Sequence, residues 1–422
     1  MKPATIAAAL ILGTTPMHSQ TPTELQVTRG PGGRILTNTS VWSPDGQWIA
    51  YDTRSDAAGE KFDGSRIEMV NVLTGEVRVL YESRNGAYCG VVTFHPRQSR
   101  IVFILGPENP TPDWQYNAYH RQGVIVDTTK PGVAENLDAR DLVLPFTPGA
   151  LRGGSHVHVW DPAGEKVSFT YEDHVLAQTG LNQRNIGVSV PGRPVVVPKT
   201  HPRNHDGSHH TVLVTRTTAN PKPGSDEIKK AFEEGWVGQR ALAFQGHVVT
   251  GKGETISEVF IADLPDDLTQ PGSESRITQR RLTFTANRKY PGIQGPRHWL
   301  RSSPDGSRIA FLMKDDAGIV QLWTISPNGG ALTQLTRNSS PIASAFMWST
   351  DGKHIAHVMD NSVCVTDTAT GATTRLTPRS DDASAPRPEA CVFSPNGTKI
   401  AFVRRVPSPE IPANQIFVVN LK

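Results

Sequence analysis

A short turn motif recurs along the chain, and this repeat constrains the fold more than any other sequence feature. Each copy places an Asp-Gly or Asn-Gly pair between two runs of β-forming residues, and such a pair supplies the positive φ that a tight β-hairpin needs. Clear copies begin at Ser43, Ser303, Ser349 and Ser394, and the last three are spaced by about 45 residues. Repeats of this length with four short strands are typical of the blades of a β-propeller.

The repeat predicts an all-β fold, a seven-bladed β-propeller, over residues 24–422. First strands are expected to start near residues 38, 90, 156, 209, 298, 344 and 389. The last repeat has only three strands, whereas the segment after residue 23 resembles the missing fourth one. We therefore expect the N- and C-terminal strands to close the last blade, with Leu25 to Thr28 pairing with Ile416 to Val419, because closure leaves no free sheet edge.

One repeat is longer than the others. His210 to Thr215 reads as its first strand, and the segment that follows contains a helix-like stretch from Ser225 to Glu234. Ser225 is followed by carboxylates two and three residues later, which is typical of a helix start. We predict a helical insertion at about 221–239. It should be peripheral to any chemistry, because a connection between first and second strands leaves the face opposite the first-strand starts.

The charged residues argue against two classes of partner. The formal net charge of +3 is spread over 43 Lys and Arg and 40 Asp and Glu residues without a long basic or acidic block. Neither a nucleic acid nor a membrane surface is therefore indicated. Residues 1–20 have the basic start and short apolar core of a signal peptide, too short to span a bilayer, so we expect a periplasmic or secreted protein. The three cysteines are too few for a disulfide framework, and buried free thiols are expected.

Two histidines mark the candidate site. In the run Gly153 to Pro162, His156 and His158 are two residues apart on a predicted strand, so both side chains should project to the same side. Such a pair can chelate a metal ion, or it can simply hydrogen-bond neighbouring loops. Histidines recur at comparable points of later repeats, at His209 and His298.

The position of these histidines within the repeat gives a separate argument. His156 and His298 both lie six residues before the Pro of the turn motif or its equivalent, as do Asn38, Ser344 and Glu389. First strands line the channel of a propeller, so this position should form a polar ring at one mouth. We expect His156, His158, His209 and His298 to bind a divalent metal of the Mn or Zn type, because imidazoles suit such ions.

Three long loops should lie over the same mouth and supply catalytic groups. They cover Pro112 to Arg121, Tyr171 to His174 and Lys199 to Asp206. Aromatic side chains can stack on sugar rings, while Arg and Lys pair with carboxylates. The catalytic candidates are His210, His174, Lys199 and Arg203, the first three as possible bases.

The hairpin motifs, Ser-Pro-Asp-Gly and Ser-Pro-Asn-Gly, resemble those of the bacterial TolB-like (WD40-like) propellers. The histidine cluster resembles one enzyme branch of these, the oligogalacturonate lyases, which bind a divalent metal in the central channel. The sequence departs from the Gln-x-x-His-x-His strand of that branch, since Gly153 stands three residues before His156. His298 also follows the pair, whereas the separate histidine of the branch precedes it.

The resemblance implies a secreted, metal-dependent carbohydrate-active enzyme. Its most concrete form is a lyase that cleaves an acidic sugar or oligosaccharide by β-elimination, in which a metal neutralises the uronate carboxylate and a base removes the adjacent proton. The alternative is a non-enzymatic periplasmic propeller of the TolB-like group that binds proteins or glycans. Metal analysis of the purified protein and of its His156→Ala variant discriminates between the two.

Overall fold

The chain folds into seven four-stranded antiparallel sheets arranged as the blades of a propeller, as predicted. The structure is a computed structural model that describes residues 24–37, 39–56, 58–181, 183–296, 299–407 and 412–421. The predicted signal peptide at residues 1–20 lies outside the described residues. The remaining elements of the described chain are short helical turns and one small parallel pair of strands, and they decorate the blades.

The strands are given blade by blade, from the channel outward. Blades one to four comprise Gly33–Ile35, Trp48–Arg54, Arg66–Asn71 and Val77–Glu82; Cys89–Phe94, Arg100–Leu105, Gln122–Asp127 and Ala134–Asn136; Gly153–Trp160, Val167–Asp173, Arg184–Val190 and His210–Leu213; and Ile228–Val237, Ala241–Val249, Thr255–Asp263 and Thr278–Arg281. Blades five to seven comprise Arg301–Ser302, Ile309–Lys314, Val320–Ile325 and Thr333–Gln334; Met347–Trp348, His354–Met359, Ser362–Asp367 and Thr373–Arg375; and Pro386–Phe393, Lys399–Val406, Ala413–Asn420 and Glu24–Gln26. The decorating elements are the strands Ala139–Arg140 and Ala150–Leu151, the helix His174–Ala177 and the 3₁₀ turns Ala118–His120 and Ser273–Arg276.

The repeated turn motif forms the predicted hairpin between the first and second strands. In the first copy the hydroxyl of Ser43 donates to the Asp45 carboxylate, which also accepts the backbone N–H of Gln47. The φ of Gly46 is 68°, in the left-handed region that favours glycine. The copies at Ser303, Ser349 and Ser394 make the same side-chain bond to the residue two positions later. The same local hydrogen-bond pattern therefore stabilises the hairpin between the first and second strands in four of the seven blades.

The predicted closure of the last blade is confirmed. Leu25 lies opposite Val418 in an antiparallel pair, and the backbone N–H of Val27 donates to the carbonyl of Ile416. Because the N-terminal strand is the outermost strand of blade seven, both ends of the described chain are held in one sheet.

Apolar clusters fill the spaces between neighbouring blades, and one of these spaces is unusually polar. The cluster between blades two and three has only five buried apolar residues, including Val102 and Trp160. Beside it the Thr93 hydroxyl donates to the carbonyl of His158, and the His95 ring contacts the carbonyl of Gly164 at 2.9 Å. Blades two and three are therefore joined by hydrogen bonds as well as by burial.

The prediction for the fourth repeat was wrong in two respects. His210–Leu213 is the outermost strand of blade three, not the first strand of blade four. The first strand of blade four is Ile228–Val237, a ten-residue strand that includes most of the predicted helix. Local sequence favoured a helix, but the segment pairs with Ala241–Val249 and buries Ile228 and Trp236 in the apolar cluster between blades three and four. Tertiary packing therefore overrides the local preference.

Candidate functional site

A cavity of about 610 Å³ occupies the propeller axis. First strands, the ends of second strands and the loops that follow them contribute to its wall. The lining residues include Asp52, Arg54, Val91, Tyr116, Arg121, His156, Trp299 and Glu389. Charged and aromatic side chains converge here from blades one, two, three, five and seven. Concave sites of this size with a few convergent polar groups are typical of small-ligand binding.

A β-bulge shapes the first strand of three successive blades. Val91, Val157 and Glu233 have φ values of 59°, 59° and 55°, and each lies three residues before the aromatic residue near the end of its strand. The pairing register shifts at the same points. Positive φ is rare for residues other than glycine, above all for a β-branched valine. Bulges of this kind re-aim side chains next to functional sites.

His156, one of the predicted metal ligands, reaches the cavity. Its side chain is 8% exposed, and its Nδ1 has no hydrogen-bond partner among the described residues. Burial holds the pKa of His156 well below its ordinary value, and the positive charges of Arg121 and Arg184 act in the same direction. The imidazole is therefore neutral near pH 7 and can accept a proton.

His158 does not share the face of His156. The bulge at Val157 adds one residue to the strand between the two histidines, and this resets the alternation of side chains. The Nε2 of His158 lies 3.0 Å from the Ser155 hydroxyl, which donates to the Asp138 carboxylate at 2.9 Å. Both His158 and Ser155 are fully buried. His158 is therefore part of the polar contact between blades two and three.

The other predicted metal ligands do not join His156. His209 precedes the outermost strand of blade three, where its Nδ1 lies 2.9 Å from the hydroxyl of Ser208. It lies on the outer side of blade three because the strand that it precedes is the fourth strand of that blade. His298 lies outside the described residues.

The described residues do not fit a metal ion. They include no group of three or more His, Cys, Asp and Glu side chains placed to hold one. Of the predicted ligands, His156 alone lines the cavity among these residues, while His158 and His209 are held elsewhere by hydrogen bonds.

The cations of the cavity differ in their partners. Asp52 pairs with Arg54 at 2.7 Å and also accepts the backbone N–H of Val91 at 3.0 Å. Burial raises the pKa of Asp52, and the charge of Arg54 opposes this effect. By contrast, Arg121 forms no salt bridge within the described chain, its Nε has no hydrogen-bond partner there, and its guanidinium lies 5.1 Å from the centre of the Tyr116 ring. Arg121 is therefore the cation best placed to receive an anionic ligand.

The three predicted loops come together beside the cavity. Trp114 from the first loop stacks on His120, with ring centres 3.6 Å apart, and also contacts His174 and His201 at 4.8 and 6.2 Å. The Nε2 of His120 lies 3.0 Å from the Nδ1 of His174. These contacts form an aromatic and histidine cluster, defined by Trp114, His120, His174 and His201, that joins all three loops.

None of the four proposed catalytic residues, all of which the structure describes, lines the cavity. His174 contacts His120, and Arg203 donates to the carbonyls of Glu108 and Asn109. Lys199 pairs with Asp206 at 2.5 Å, and more than half of its side chain is exposed. His210 starts the outermost strand of blade three. The structure thus assigns Arg203 and the His174 ring to loop anchoring.

Sequence reasoning missed Asp52, Arg54 and Arg121 as cavity residues. Asp52 and Arg54 lie at the end of the second strand of blade one, which follows a clear copy of the turn motif. They are two residues apart on this strand, so their side chains project to the same side. Arg121 belongs to a loop that was singled out for its aromatic residues, and nothing in its local pattern separates it from the loop's other polar residues.

The helices of the described chain were also compared with the length and hydropathy that a membrane span needs. None of them is long and apolar enough to span a bilayer.

Comparison with known proteins gives both fold and family. The model of a protein family of unknown function (DUF3748) matches residues 88–205, a segment that contains Arg121, His156 and all four members of the cluster. Two solved structures share the fold at about one-tenth sequence identity. An oligogalacturonate lyase in complex with manganese has a TM-score of 0.61 and 11% identity over 96% of this chain and 94% of its own. An oligogalacturonate lyase from Vibrio parahaemolyticus has a TM-score of 0.57 and 10% identity over 96% and 95%.

A much nearer relative is known from its sequence. The uncharacterized protein YidR of Escherichia coli (strain K12) is 49% identical over 397 residues, which cover 90% of this chain and 94% of YidR. The chain therefore belongs to the protein family that includes YidR of Escherichia coli.

Proposed function

We propose that this protein binds an acidic sugar or oligosaccharide in the channel cavity and cleaves it by β-elimination. One observation carries the proposal: the guanidinium of Arg121, which has no carboxylate partner among the described residues, and the buried neutral imidazole of His156 line the same cavity. The shared fold with two oligogalacturonate lyases supports the same reaction class.

The two side chains have complementary roles in this reaction. Arg121 pairs with the carboxylate of the sugar, and withdrawal of negative charge acidifies the proton on the adjacent carbon. His156 takes that proton, the C–H electron pair becomes a carbon–carbon double bond, and the bond to the leaving oxygen on the next carbon breaks. The leaving oxygen takes a proton from water, and His156 later returns its proton to solvent.

The electrostatics of the cavity favour this division of roles. An imidazole with a pKa well below its ordinary value is a weak base when no anionic ligand is bound. A bound carboxylate adds a negative charge beside the imidazole, and a nearby negative charge raises the pKa of a histidine. The ligand itself therefore strengthens the base.

Export to the periplasm or beyond, which the pattern of residues 1–20 indicates, is part of the same proposal.

The test uses digalacturonate and trigalacturonate with the purified full chain. Formation of the unsaturated product is followed by its absorbance, and binding is measured by calorimetry. We expect turnover by the wild type, loss of at least about two orders of magnitude in rate for His156→Ala, and weaker binding for Arg121→Met. His354→Ala, in a second strand of blade six, serves as the control and should behave as the wild type.

The outcomes separate the two classes of function. Binding that depends on Arg121 without any unsaturated product indicates a glycan-binding propeller and contradicts the lyase proposal. Absence of both binding and turnover for acidic saccharides overturns the proposal as a whole.

A further inference from the structure

A fully buried arginine holds the loop that carries Arg121. Arg140 is 3% exposed, and it lies in the short strand Ala139–Arg140 between blades two and three. Its Nε donates to the carbonyl of Gly153 at 3.0 Å, and its Nη2 donates to the carbonyls of His120 and Arg121 at 3.3 and 2.5 Å. One guanidinium thus joins the loop of blade two to the first residue of the strand that carries His156.

The partners of Arg140 are unusual for a buried cation. Its hydrogen bonds within the described chain go to backbone carbonyls, although Asp138 and Tyr171 are near enough to act electrostatically. Burial lowers the pKa of Arg140 to about 10. A buried charge held mainly by carbonyl groups is costly for stability, and the ring of Trp114, 5.7 Å away, covers it. A buried arginine that is costly in this way indicates that the loop and the strand that it joins must be held in a fixed arrangement.

That requirement is close packing between the loop and the strand. A Cβ atom at Gly154 would lie 2.3 Å from the carbonyl oxygen of Ala118 and 2.8 Å from the backbone N of Arg121. The backbone of residues 118–121 therefore lies directly on Gly154, two residues before His156. Arg140 stabilises the same contact, because it donates to the carbonyls of His120 and Arg121 in the loop and of Gly153 in the strand.

We propose that Arg140 is a positioning residue that sets the place of the Arg121 guanidinium in the cavity, and thereby the preference of the cavity for a carboxylate over a neutral ligand. The identity of the ligand rests on the proposed function. The positioning itself rests on the three carbonyl contacts and on the close approach at Gly154.

Lysine can reproduce only part of the hydrogen bonding of Arg140. A guanidinium presents five N–H donors in a fixed plane and can serve three carbonyls at once, whereas an ammonium on a flexible stem is a point donor. Arg140→Lys should therefore keep the buried charge and lose part of the clamp, and Arg140→Met should lose all of it. Arg152→Met is the matched control. Arg152 lies in the same region, but its side chain pairs with Asp173 and forms no hydrogen bond to residues 118–121 within the described chain.

Two measurements test the proposal on the full chain. Hydrogen exchange with mass spectrometry reports on residues 114–121, and calorimetry compares digalacturonate with its neutral analogue, digalactose. For Arg140→Met we expect faster exchange in that loop, unchanged exchange in blade six, and at least about tenfold weaker binding of digalacturonate with unchanged binding of digalactose. Arg140→Lys should fall between the wild type and Arg140→Met, and it keeps the test decisive if Arg140→Met does not fold.

Unchanged preference for digalacturonate in a variant whose loop exchanges faster would overturn the assigned role. Unchanged exchange in both variants would overturn the clamp itself. If the wild type binds neither saccharide while loop exchange still depends on Arg140, the proposed function has failed and the positioning of the loop stands.

Discussion

The indole Nε1 of Trp236 donates a hydrogen bond to the carbonyl oxygen of Val159, 3.0 Å away, and so joins the first strand of blade four to the first strand of blade three. Trp42 makes the same bond to Val392, and Trp348 makes it to Arg301, both at 3.0 Å. In three blades, a tryptophan five or six residues before the second strand thus binds the preceding blade. This contact couples the blades around the ring.

Replacing Trp236 by Phe should destabilise the propeller. Phe keeps most of the apolar ring but loses the Nε1 donor, which leaves the Val159 carbonyl without this partner. The expected loss is about 1–3 kcal/mol in the free energy of unfolding, measured as a lower thermal midpoint in calorimetry. Trp42→Phe should show a similar loss. A wild-type midpoint for both variants would contradict the role of the bond.

The overall fold could be predicted because its signal is local and repeated. The hydrogen bonds of the Ser43 turn recur in three later blades and need no distant partner. The fourth repeat was misassigned because it lacks this turn. Its Trp236 occupies the position of Trp42, but the charged run before it favoured a helix, and only packing between blades three and four makes it a strand.

The site could be predicted only in part. His156 was identified from its position in the repeat, which a propeller converts directly into a position at the channel. His158 was misplaced because strict alternation assumes a regular strand, and the bulge at Val157 breaks that alternation. Arg121 and Arg140 were not predicted as partners, since their relationship depends on a loop contact that is not periodic in sequence.

Replacing Gly154 by Ala should disturb the cavity through the same loop contact. The added Cβ would lie 2.3 Å from the Ala118 carbonyl, closer than real Cβ contacts allow, and the obstacle is backbone. We expect a loss of about 1–3 kcal/mol in the free energy of unfolding and faster hydrogen exchange in residues 114–121. Gly251→Ala is the control, since a Cβ there meets nothing within 4 Å. Equal stability of the two variants would argue against close packing at Gly154.

His158 should make the protein less stable in acid. Burial lowers the pKa of His158 to about 3, whereas a histidine in the unfolded chain titrates near 6.5. Above about pH 6.5 both states are neutral at this residue and it contributes no pH dependence. As the pH falls from 6.5 toward 3, the unfolded chain takes up a proton that the folded chain does not, so the free energy of unfolding falls by up to about 1.4 kcal/mol per pH unit.

The variant His158→Gln isolates this contribution. It should lose stability at neutral pH, because it disturbs the bond to Ser155, but its thermal midpoint should fall less steeply than that of the wild type between pH 6.5 and 4. His354→Gln, in a second strand of blade six, is the comparison variant and should keep the wild-type slope. Parallel curves for the wild type and His158→Gln would show that His158 does not carry the acid sensitivity.

Glu234 should have the opposite pH dependence. Burial raises the pKa of Glu234 from 4.5 to about 7, against the hydrogen bond from Thr170 and the charge of Arg301, which favour the ionised form. Between about pH 4.5 and 7 the unfolded chain therefore loses this proton before the folded chain does, and stability falls as the pH rises through that window. Glu234→Gln keeps an acceptor for Thr170 and cannot ionise. Its free energy of unfolding should therefore exceed that of the wild type by at most about 3 kcal/mol near pH 7 and match it near pH 4.5.

The measurement is the thermal midpoint at both pH values, with the exposed Glu254→Gln as the control. If Glu234→Gln is instead less stable than the wild type at pH 7, the carboxylate is ionised and stabilised by Arg301, and the carboxyl group is not held in its protonated form.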